Sequence, residues 1–376
     1  MNSSLYLGIM SGTSADGIDA ALVDFSGYPD APIHIVASAF TPFEDALREQ
    51  IMALFTPGDN EIDRLGELDN ALGQAYADAV TGLLQATDVE PRHVGAIGLH
   101  GQTIRHRPEA HSPFTLQIGN PYFISQKLGV TVVNDFRRAD MVLAGQGAPL
   151  APVFHQALFQ SSKRHRVIIN TGGIANISYL PPEGALQGFD TGPANGLMDF
   201  WIESHQGQRF DADGAWARNG SVIESLLKQW LDDPYYRQSP PKSTGKEYFT
   251  PTKFGLNSEA LIGHAPADIQ RTLCELSAAT ISDAIGAFCA QAEEIFICGG
   301  GAHNGLLVER IAALSGLPVA TTAALGVAPD WVEAVGFAWL ARACMEGIAT
   351  DTRSVTGAKQ PPILGAIHPG RNTITE

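Results

Sequence analysis

The sequence predicts an α/β protein built from two similar lobes, and three glycine-rich turns predict it. Residues 5–25, LYLGIMSGTSADGIDAALVDF, set two apolar strand-like runs around the tight polar turn Ser11-Gly12-Thr13-Ser14-Ala15-Asp16-Gly17. The pattern returns at residues 167–180, VIINTGGIANISYL, where Thr171-Gly172-Gly173 makes the turn. A third cluster, Gly299-Gly300-Gly301, follows the strand-like EEIFIC and opens a helical pattern at Asn304. Glycine admits backbone angles that a side chain forbids and lets main-chain N–H groups come close to an anion. One such turn is an ordinary hairpin. Three of them at strand ends, spread over the chain, suit a nucleotide gripped in a cleft between two halves.

The totals set limits on function. A chain of 376 residues is long enough for two domains with real cores. A hydrophobic share of 44% with 17% charged residues describes a globular chain rather than a disordered one. The net charge of -16 argues against a sequence-independent hold on nucleic acid, which needs clustered Lys and Arg. An anionic ligand must then be held by local backbone and a bound cation, because the overall field repels it. The start MNSSLYLGIM has no basic region and no long apolar core, so no signal peptide is expected. No stretch approaches the roughly 20 apolar residues of a membrane span. Cys274, Cys289, Cys298 and Cys344 lie in apolar runs without CxxC spacing, which suits core packing in a reducing cytoplasm.

Taken in order, residues 33–40 after the first hairpin read as a third strand. Residues 63–84 place Leu65, Leu68, Leu72, Tyr76, Val80 and Leu83 at helical spacing, an amphipathic helix covering a sheet. Residues 94–99 form a buried strand that runs out into His100-Gly101-Gln102-Thr103. The carboxyl end of an inner strand is where ligands of α/β sheets sit. A short strand at 115–118 leads to Asn120-Pro121, a helix cap with proline at the first helical position. Then come the strand VTVVN, the polar stretch DFRRAD and the loop AGQGAPLAPVFH. Glycine and proline cluster at 139–152, which puts the lobe boundary near 140: residues 1–140, then 141–376, with the last segment free to pack back on the first lobe.

In the second half, Asp190 ends a strand-like run, Thr191-Gly192 turns, and Pro193 suits the first turn of a helix reaching about residue 204. Residues 210–257 carry one short helix at 222–231, and their run PPKSTGKEYF reads as a mobile loop. A long helix at 266–291, the strand 293–298, a helix at 304–315, the strand PVATT and a last helix at 331–347 complete the chain. Hairpin, third strand, then alternating helix and strand occur twice, a duplication of pattern without identity of residues.

Known phosphate motifs are absent. The only Gly-Lys pair, Gly245-Lys246, precedes Glu247 and lacks the upstream glycine of a Walker A loop. Asn304 stands where a dinucleotide fingerprint wants its last glycine. Phosphate must then be held by the hairpin turns and the helix after Gly301. Thr13 and Ser14 add hydroxyl donors, and Asp16 and Asp19 are candidates to hold a hydrated cation. Asp190 is the first choice for a catalytic base, with Phe189 and Pro193 placed to exclude water; capping the helix at Pro193 is the competing reading. Glu333 faces either solvent or a cleft. His100, Arg105 and His106 suit a carboxylate or sugar hydroxyls as well as a structural role. Asp135, Arg137, Arg138 and Asp140 fit a solvated salt-bridge network and a substrate site equally.

Together GTSADGIDAALVDF, GLHGQTIRHRP, NDFRRADMVLAGQGAPLAPVFH, NTGGIANIS, FDTGPANGLMD, PKSTGKEYF and CGGGAHN resemble the anhydro-N-acetylmuramic acid kinases, bacterial cell-wall recycling enzymes of the actin/sugar-kinase/Hsp70 superfamily. The resemblance runs from Gly8 to about Gly370. It implies a two-domain, actin-like (ribonuclease H-like) duplication with an interdomain cleft. It further implies that ATP and water act on 1,6-anhydro-N-acetylmuramic acid to give N-acetylmuramic acid 6-phosphate and ADP, with Mg²⁺, in a cytoplasmic homodimer whose domains close. Carried over to this chain, ATP phosphates fall on Gly12, Thr13, Ser14, Ala15, Asp16, Gly17, Ile18 and Asp19. Thr171, Gly172, Gly173 and Asn176 match the second phosphate loop, and Gly299, Gly300, Gly301 and Asn304 the adenosine site. Asp190 matches the general base, and the sugar is expected at His100, Gln102, Thr103, Asp135, Arg137 and Glu333. Metal ligands are not fixed; Asp16, through water, is one candidate. Ala15 stands where relatives are expected to have Met or Leu, at what reads as the least constrained part of the turn. A plain sugar kinase using a free hydroxyl is the nearest alternative, and a nucleotide-gated binding protein the next.

Overall fold

A computed structural model of the chain describes residues 3–245, 248–258 and 261–371. Lys246 and Glu247, weighed above as part of a phosphate loop, lie outside them. The chain divides into two compact units, Met1–Phe154 with Trp331–Glu376, and His155–Asp330. The division thus falls between residues 154 and 155 rather than near 140, and the C-terminal segment counts with the first unit.

The first unit is built on the sheet β13-β7-β4-β1-β2-β3, formed by β1 (Leu5–Met10), β2 (Gly17–Asp24), β3 (His34–Pro42), β4 (Val94–Leu99), β7 (Val132–Asn134) and β13 (Ala366–His368). β1 and β2 form the antiparallel hairpin read from the sequence, with Met10 opposite Asp19, and β4 runs parallel to β1. Helix α2 (Glu61–Thr87) buries Leu68, Leu72, Tyr76, Val80 and Leu83 in the sheet's core, the stripe that its spacing predicts. On the strands' other side, helix α10 (Val332–Met345) lies so close that a Cβ on Gly8 would stand 1.8 Å from the Ala334 carbonyl. This contact holds the C-terminal segment to the first unit.

The second unit repeats the plan. β8 (Arg166–Thr171), β9 (Ile174–Leu180), β10 (Gln187–Pro193), β11 (Glu294–Cys298) and β12 (Val319–Thr321) form the sheet β10-β9-β8-β11-β12. Each sheet places its third strand outermost, then the second, the first, and two parallel strands after it. The second strand is antiparallel to its neighbours in both. This is the duplicated ribonuclease H-like, actin-type α/β plan expected above. Helix α8 (Pro266–Phe288) supplies Ile269, Leu273, Leu276, Ile281 and Ile285 to the core of this unit.

Several local readings are corrected. Residues 102–107 pair with β6 (Phe114–Ile118) as strand β5 (Gln102–Arg107) rather than forming a polar run-out. Pro121, not Asn120, is the cap residue of helix α3 (Tyr122–Ser125), which is one turn long, while the Asn120 side chain accepts the Tyr122 N–H at 3.0 Å from just before it. Helix α4 (Arg138–Val142) occupies the end of the DFRRAD stretch, and α5 (Ala151–Phe159) replaces the end of the loop. Helix α1 (Asp45–Leu54) buries only Ile51 and Leu54, too few positions to set a period. Pro193 ends β10 instead of starting a helix; helix α6 (Asn195–Gln206) begins two residues later. After helix α9 (Gly305–Ser315), α10 is not the last helix, because α11 (Arg353–Thr356) follows it.

Candidate active site

In the first unit the glycine turn joins β1 to β2, and the left-handed position is not a glycine. Ala15 has φ 52° and no exposed surface, and its N–H donates to the Gly12 carbonyl at 3.1 Å. Ala15 is therefore a tightly constrained residue of the turn rather than its least constrained part. A longer side chain there would have to enter the core while keeping a backbone that costs about 1 kcal/mol outside glycine. Gly17 is required by packing, since its Cβ would lie 2.5 Å from the Phe40 ring. Around Gly12 space is open, the nearest atom to an added Cβ being Ser14 Oγ at 3.5 Å. Thr13, Ser14 and Asp16 are exposed, and Ser14 Oγ donates to Asp16 at 2.7 Å. Ile18 is core, and Asp19 is half-buried.

The turn is tied to the loop after β4. Gln102 Nε2 donates to the Gly12 carbonyl at 3.1 Å, and Ser11 Oγ donates to the Gly101 carbonyl at 3.3 Å while meeting Tyr76 Oη at 2.7 Å. Gln102 Oε1 is buried without a partner, as is His100 Nδ1. Arg137 donates to His100 Nε2 at 2.9 Å and to the Gly147 carbonyl at 2.9 Å. Burial and the Arg137 cation hold His100 well below the usual histidine range, so the ring is neutral with its proton on Nδ1. Glu333 is half-buried rather than solvent-facing; burial raises its carboxyl and Arg137 opposes that rise.

Other candidates of this unit are committed elsewhere. Arg105 bonds the Leu54 carbonyl and pairs with Glu61, so it braces α1 and α2 instead of facing a sugar. His106 pairs with Thr115 at 3.1 Å, and burial takes it down to about 4. Thr103 Oγ1 accepts from Gln117 at 3.2 Å. The DFRRAD charges do not form one solvated network. Arg138 pairs with Asp135 at 2.6 Å, while Asp140 is fully buried.

In the second unit, Thr171 Oγ1 donates to the Cys298 carbonyl at 2.9 Å, fastening the β8–β9 turn to the end of β11. Gly301 packs against that threonine, since its Cβ would lie 2.6 Å from Thr171 Oγ1. Gly299 has φ 77°, the left-handed angle expected of this cluster. The carbonyls of Gly172 and Gly173 accept the Asn195 and Ala194 N–H groups at 3.0 Å each, so this turn caps α6. Asn304 caps α9, accepting the Leu307 N–H at 3.1 Å.

Asp190 is not a helix cap. It lies on β10, directly opposite Asn176 of β9, next to a bulge at Thr191. Its N–H donates to the Lys242 carbonyl at 3.1 Å, its own carbonyl accepts from Tyr235 Oη at 2.9 Å, and its Oδ2 accepts the Thr244 N–H at 2.8 Å. A carboxylate anchored through one oxygen and half-exposed keeps a defined direction, which general-base work requires. Two of its neighbours carry buried polar atoms without partners among the described residues: Asn176 Oδ1 across the ladder and Thr244 Oγ1 at the anchor. Such atoms are costly unless water or a polar ligand meets them. Lys242 and Thr244 escaped sequence reasoning because PPKSTGKEYF looks like a solvated loop. Lys242 is instead 8% exposed and Phe249 4%.

Among the described residues no group of three or more His, Cys, Asp and Glu is placed to hold a metal. No described helix is long and apolar enough to cross a membrane. A family model described as anhydro-N-acetylmuramic acid kinase matches residues 4–370. The protein of that name from Nitrosospira multiformis is 47% identical over 371 residues, covering 98% of this chain and 100% of the relative. The one from Thiobacillus denitrificans is 48% identical over 372 residues, covering 97% of each. Among solved structures, xylulose kinase from Rhodospirillum rubrum is similar at 15% identity and TM-score 0.47, over 90% of this chain and 89% of that one. That likeness is too distant to carry the assignment, which rests on the family model and the relatives matched along their whole length. The chain belongs to the anhydro-N-acetylmuramic acid kinase family.

Proposed function

We propose that the chain uses ATP and water to open 1,6-anhydro-N-acetylmuramic acid, giving N-acetylmuramic acid 6-phosphate and ADP, in cytoplasmic peptidoglycan recycling. Family membership supports the substrate, and the anchored carboxylate of Asp190 is the observation that carries the mechanism. Inverting hydrolysis of an acetal needs a base for water and an acid for the leaving oxygen. In the anhydro sugar the oxygen that leaves C1 is O6, which is also the phosphoryl acceptor. Asp190 takes a proton from water as the water oxygen bonds C1. The C1–O6 electron pair passes to O6, which takes the γ-phosphoryl group while ADP departs. Phosphorus stands in for the proton at O6, so no separate acid is required.

The first-unit turn, residues 12–19, is proposed to receive the ATP phosphates. Open space at Gly12 and the exposed hydroxyls of Thr13 and Ser14 support this. Asp16 and Asp19 at that turn suit Mg²⁺, which proteins usually hold by one or two carboxylates alongside phosphate oxygens. When bound, the ion neutralises charge on the transferring phosphoryl group. Thr171, Gly172, Gly173 and Asn176 are proposed for the second phosphate contact, and the residue 299–304 cluster for the adenosine. His100, Gln102, Arg137 and Glu333 are proposed for the sugar, and the unpartnered His100 Nδ1 and Gln102 Oε1 support polar contacts there. Thr103 and Asp135 are proposed there too, each with a protein partner that a sugar would join or displace.

Turnover in ¹⁸O-labelled water tests the reading. The label is expected at C1 of the phosphorylated product; a product without it would make the chain a plain kinase. Asp190→Asn is expected to lose at least the roughly 10²–10⁴-fold that a general base supplies, with ATP still bound. The same reading makes the enzyme a homodimer, which sedimentation checks.

A further inference from the structure

The first-unit turn stands on two buried hydroxyls, Ser11 and Tyr76, that no part of the family reading assigns. β1 and β4 run parallel with Ile9 beside Leu99, and the His100 N–H donates to the Ile9 carbonyl at 3.1 Å. Two side chains carry the same register on into the turn. Ser11 Oγ donates to the Gly101 carbonyl at 3.3 Å, and Gln102 Nε2 donates to the Gly12 carbonyl at 3.1 Å. The bonds cross, each side chain holding the main chain beside the other. The Gly12 carbonyl also accepts the Ala15 N–H, so the crossed pair fixes the atom that closes the turn. Ser11 is buried, and its hydroxyl therefore works through the main chain rather than on a ligand.

Tyr76 of α2 aims that hydroxyl. Ser11 has one proton, and with it committed to Gly101 the 2.7 Å contact between Ser11 Oγ and Tyr76 Oη is made by the phenol proton. Burial keeps the proton there by pushing the phenol above its ordinary range. The ring is pinned as well: it has no exposed surface, and a Cβ on Gly119 would lie 2.4 Å from it. The loop around Gly101 has other supports, the His100 N–H on β1 and the pairing of Gln102 with Ile118 on β6.

We propose that Ser11 is a positioning residue for the phosphate turn, held to that task by Tyr76. The proposal rests on the reading of residues 12–19 as the site of the ATP phosphates. A turn braced before the nucleotide arrives gives up less freedom on binding it. The brace serves ground state and transition state alike, so its loss raises the KM for ATP and leaves kcat in place. The loop after β4 keeps its own supports, so the KM for the sugar stays. A brace of stability alone would lower the active fraction, and with it kcat, without splitting the two KM values.

The test is steady-state kinetics of the full chain with ATP-Mg²⁺ and 1,6-anhydro-N-acetylmuramic acid, each varied at a saturating level of the other. The variants are Ser11→Ala, Tyr76→Phe, the two combined, and Gly12→Val. Ser11→Ala is expected to raise the KM for ATP about 3–10-fold, the net worth of one hydrogen bond, with kcat and the KM for the sugar within about twofold. Tyr76→Phe is expected to show part of that rise. The double variant should show no more than Ser11→Ala alone, because the phenol acts through the serine. An unchanged KM for ATP, an equal rise in both KM values, a loss confined to kcat, or effects that multiply in the double variant overturns the proposal. If Ser11→Ala strands the Tyr76 proton and does not fold, the double variant, which removes both hydroxyls, carries the test of the KM split. Gly12→Val fills the open space at the turn. A parent-like KM for ATP in that variant would remove the phosphate reading itself, a result distinct from a failed split in Ser11→Ala.

Discussion

Asp140 and Asp135 stand five residues apart in one charged stretch and have opposite fates. Asp140 has no exposed surface; its Oδ2 accepts the Gly147 N–H and its Oδ1 the Thr356 hydroxyl, both at 2.7 Å. Removing it strands the buried Gly147 N–H, while the Thr356 hydroxyl keeps the Thr352 carbonyl at 3.0 Å as an acceptor, so Asp140→Ala is expected to lose about 1–3 kcal/mol of stability, read as a shifted urea midpoint with the slope kept. Asp135 pairs with an Arg138 side chain that is 68% exposed, and Asp135→Ala should cost under about 1 kcal/mol. The letters DFRRAD do not separate these outcomes. They depend on Asp135 taking φ 55° and on which side chains the following turn hands inward. Asp190 stands out in the sequence as a base candidate beside a cap reading, and its place inside β10, opposite Asn176, is what removes the cap. Its partner Lys242 is not legible in the same way, because its burial is made by Tyr235, Phe288 and Phe189, brought from elsewhere in the chain.

Strong periodicity made most elements readable, and its absence hid the others. Both hairpins, α2, α8 and β11 carry either a clean apolar stripe or a short apolar run bounded by polar residues. By contrast α5, APVFHQALF, is apolar nearly all round and shows no stripe, while β13 is three residues long. Tight packing by α10 follows from small residues that a periodicity search ignores. A Cβ on Gly98 would lie 2.0 Å from the Phe337 carbonyl, and one on Gly8 2.5 Å from the Ala338 nitrogen. Backbone cannot retreat as a flexible side chain can. Gly8→Ala and Gly98→Ala are each expected to cost at least about 1–3 kcal/mol in chemical unfolding. Gly82, exposed within α2 and with nothing within 4 Å of an added Cβ, is the control. Gly82→Ala should stabilise by about 0.5–1 kcal/mol through helix propensity.

At the scale of the whole molecule, the repeated order of hairpin, third strand and two parallel strands was visible in the sequence because each hairpin announces a new sheet. How far each unit resists acid was not visible, since it depends on burial of single rings. His100 in the first unit is 5% exposed and His155 in the second is 1% exposed. Burial holds His155 down to about 3, with Arg137 adding to burial at His100, which also lies well below the ordinary 6.5. In the unfolded chain both rings take up a proton as pH falls through about 6.5, whereas in the folded chain both stay neutral. Unfolding therefore binds protons in this window, and the stability these neutral rings contribute is present above about pH 6.5 and lost below it. Each histidine should subtract up to about 1.4 kcal/mol per pH unit until its folded value is reached. Urea unfolding at pH 7 and pH 5 should show that loss, and His155→Gln, which keeps a polar partner for Ser178, should recover the part belonging to the second unit. An unchanged pH dependence in that variant would mean the ring gains its proton without unfolding.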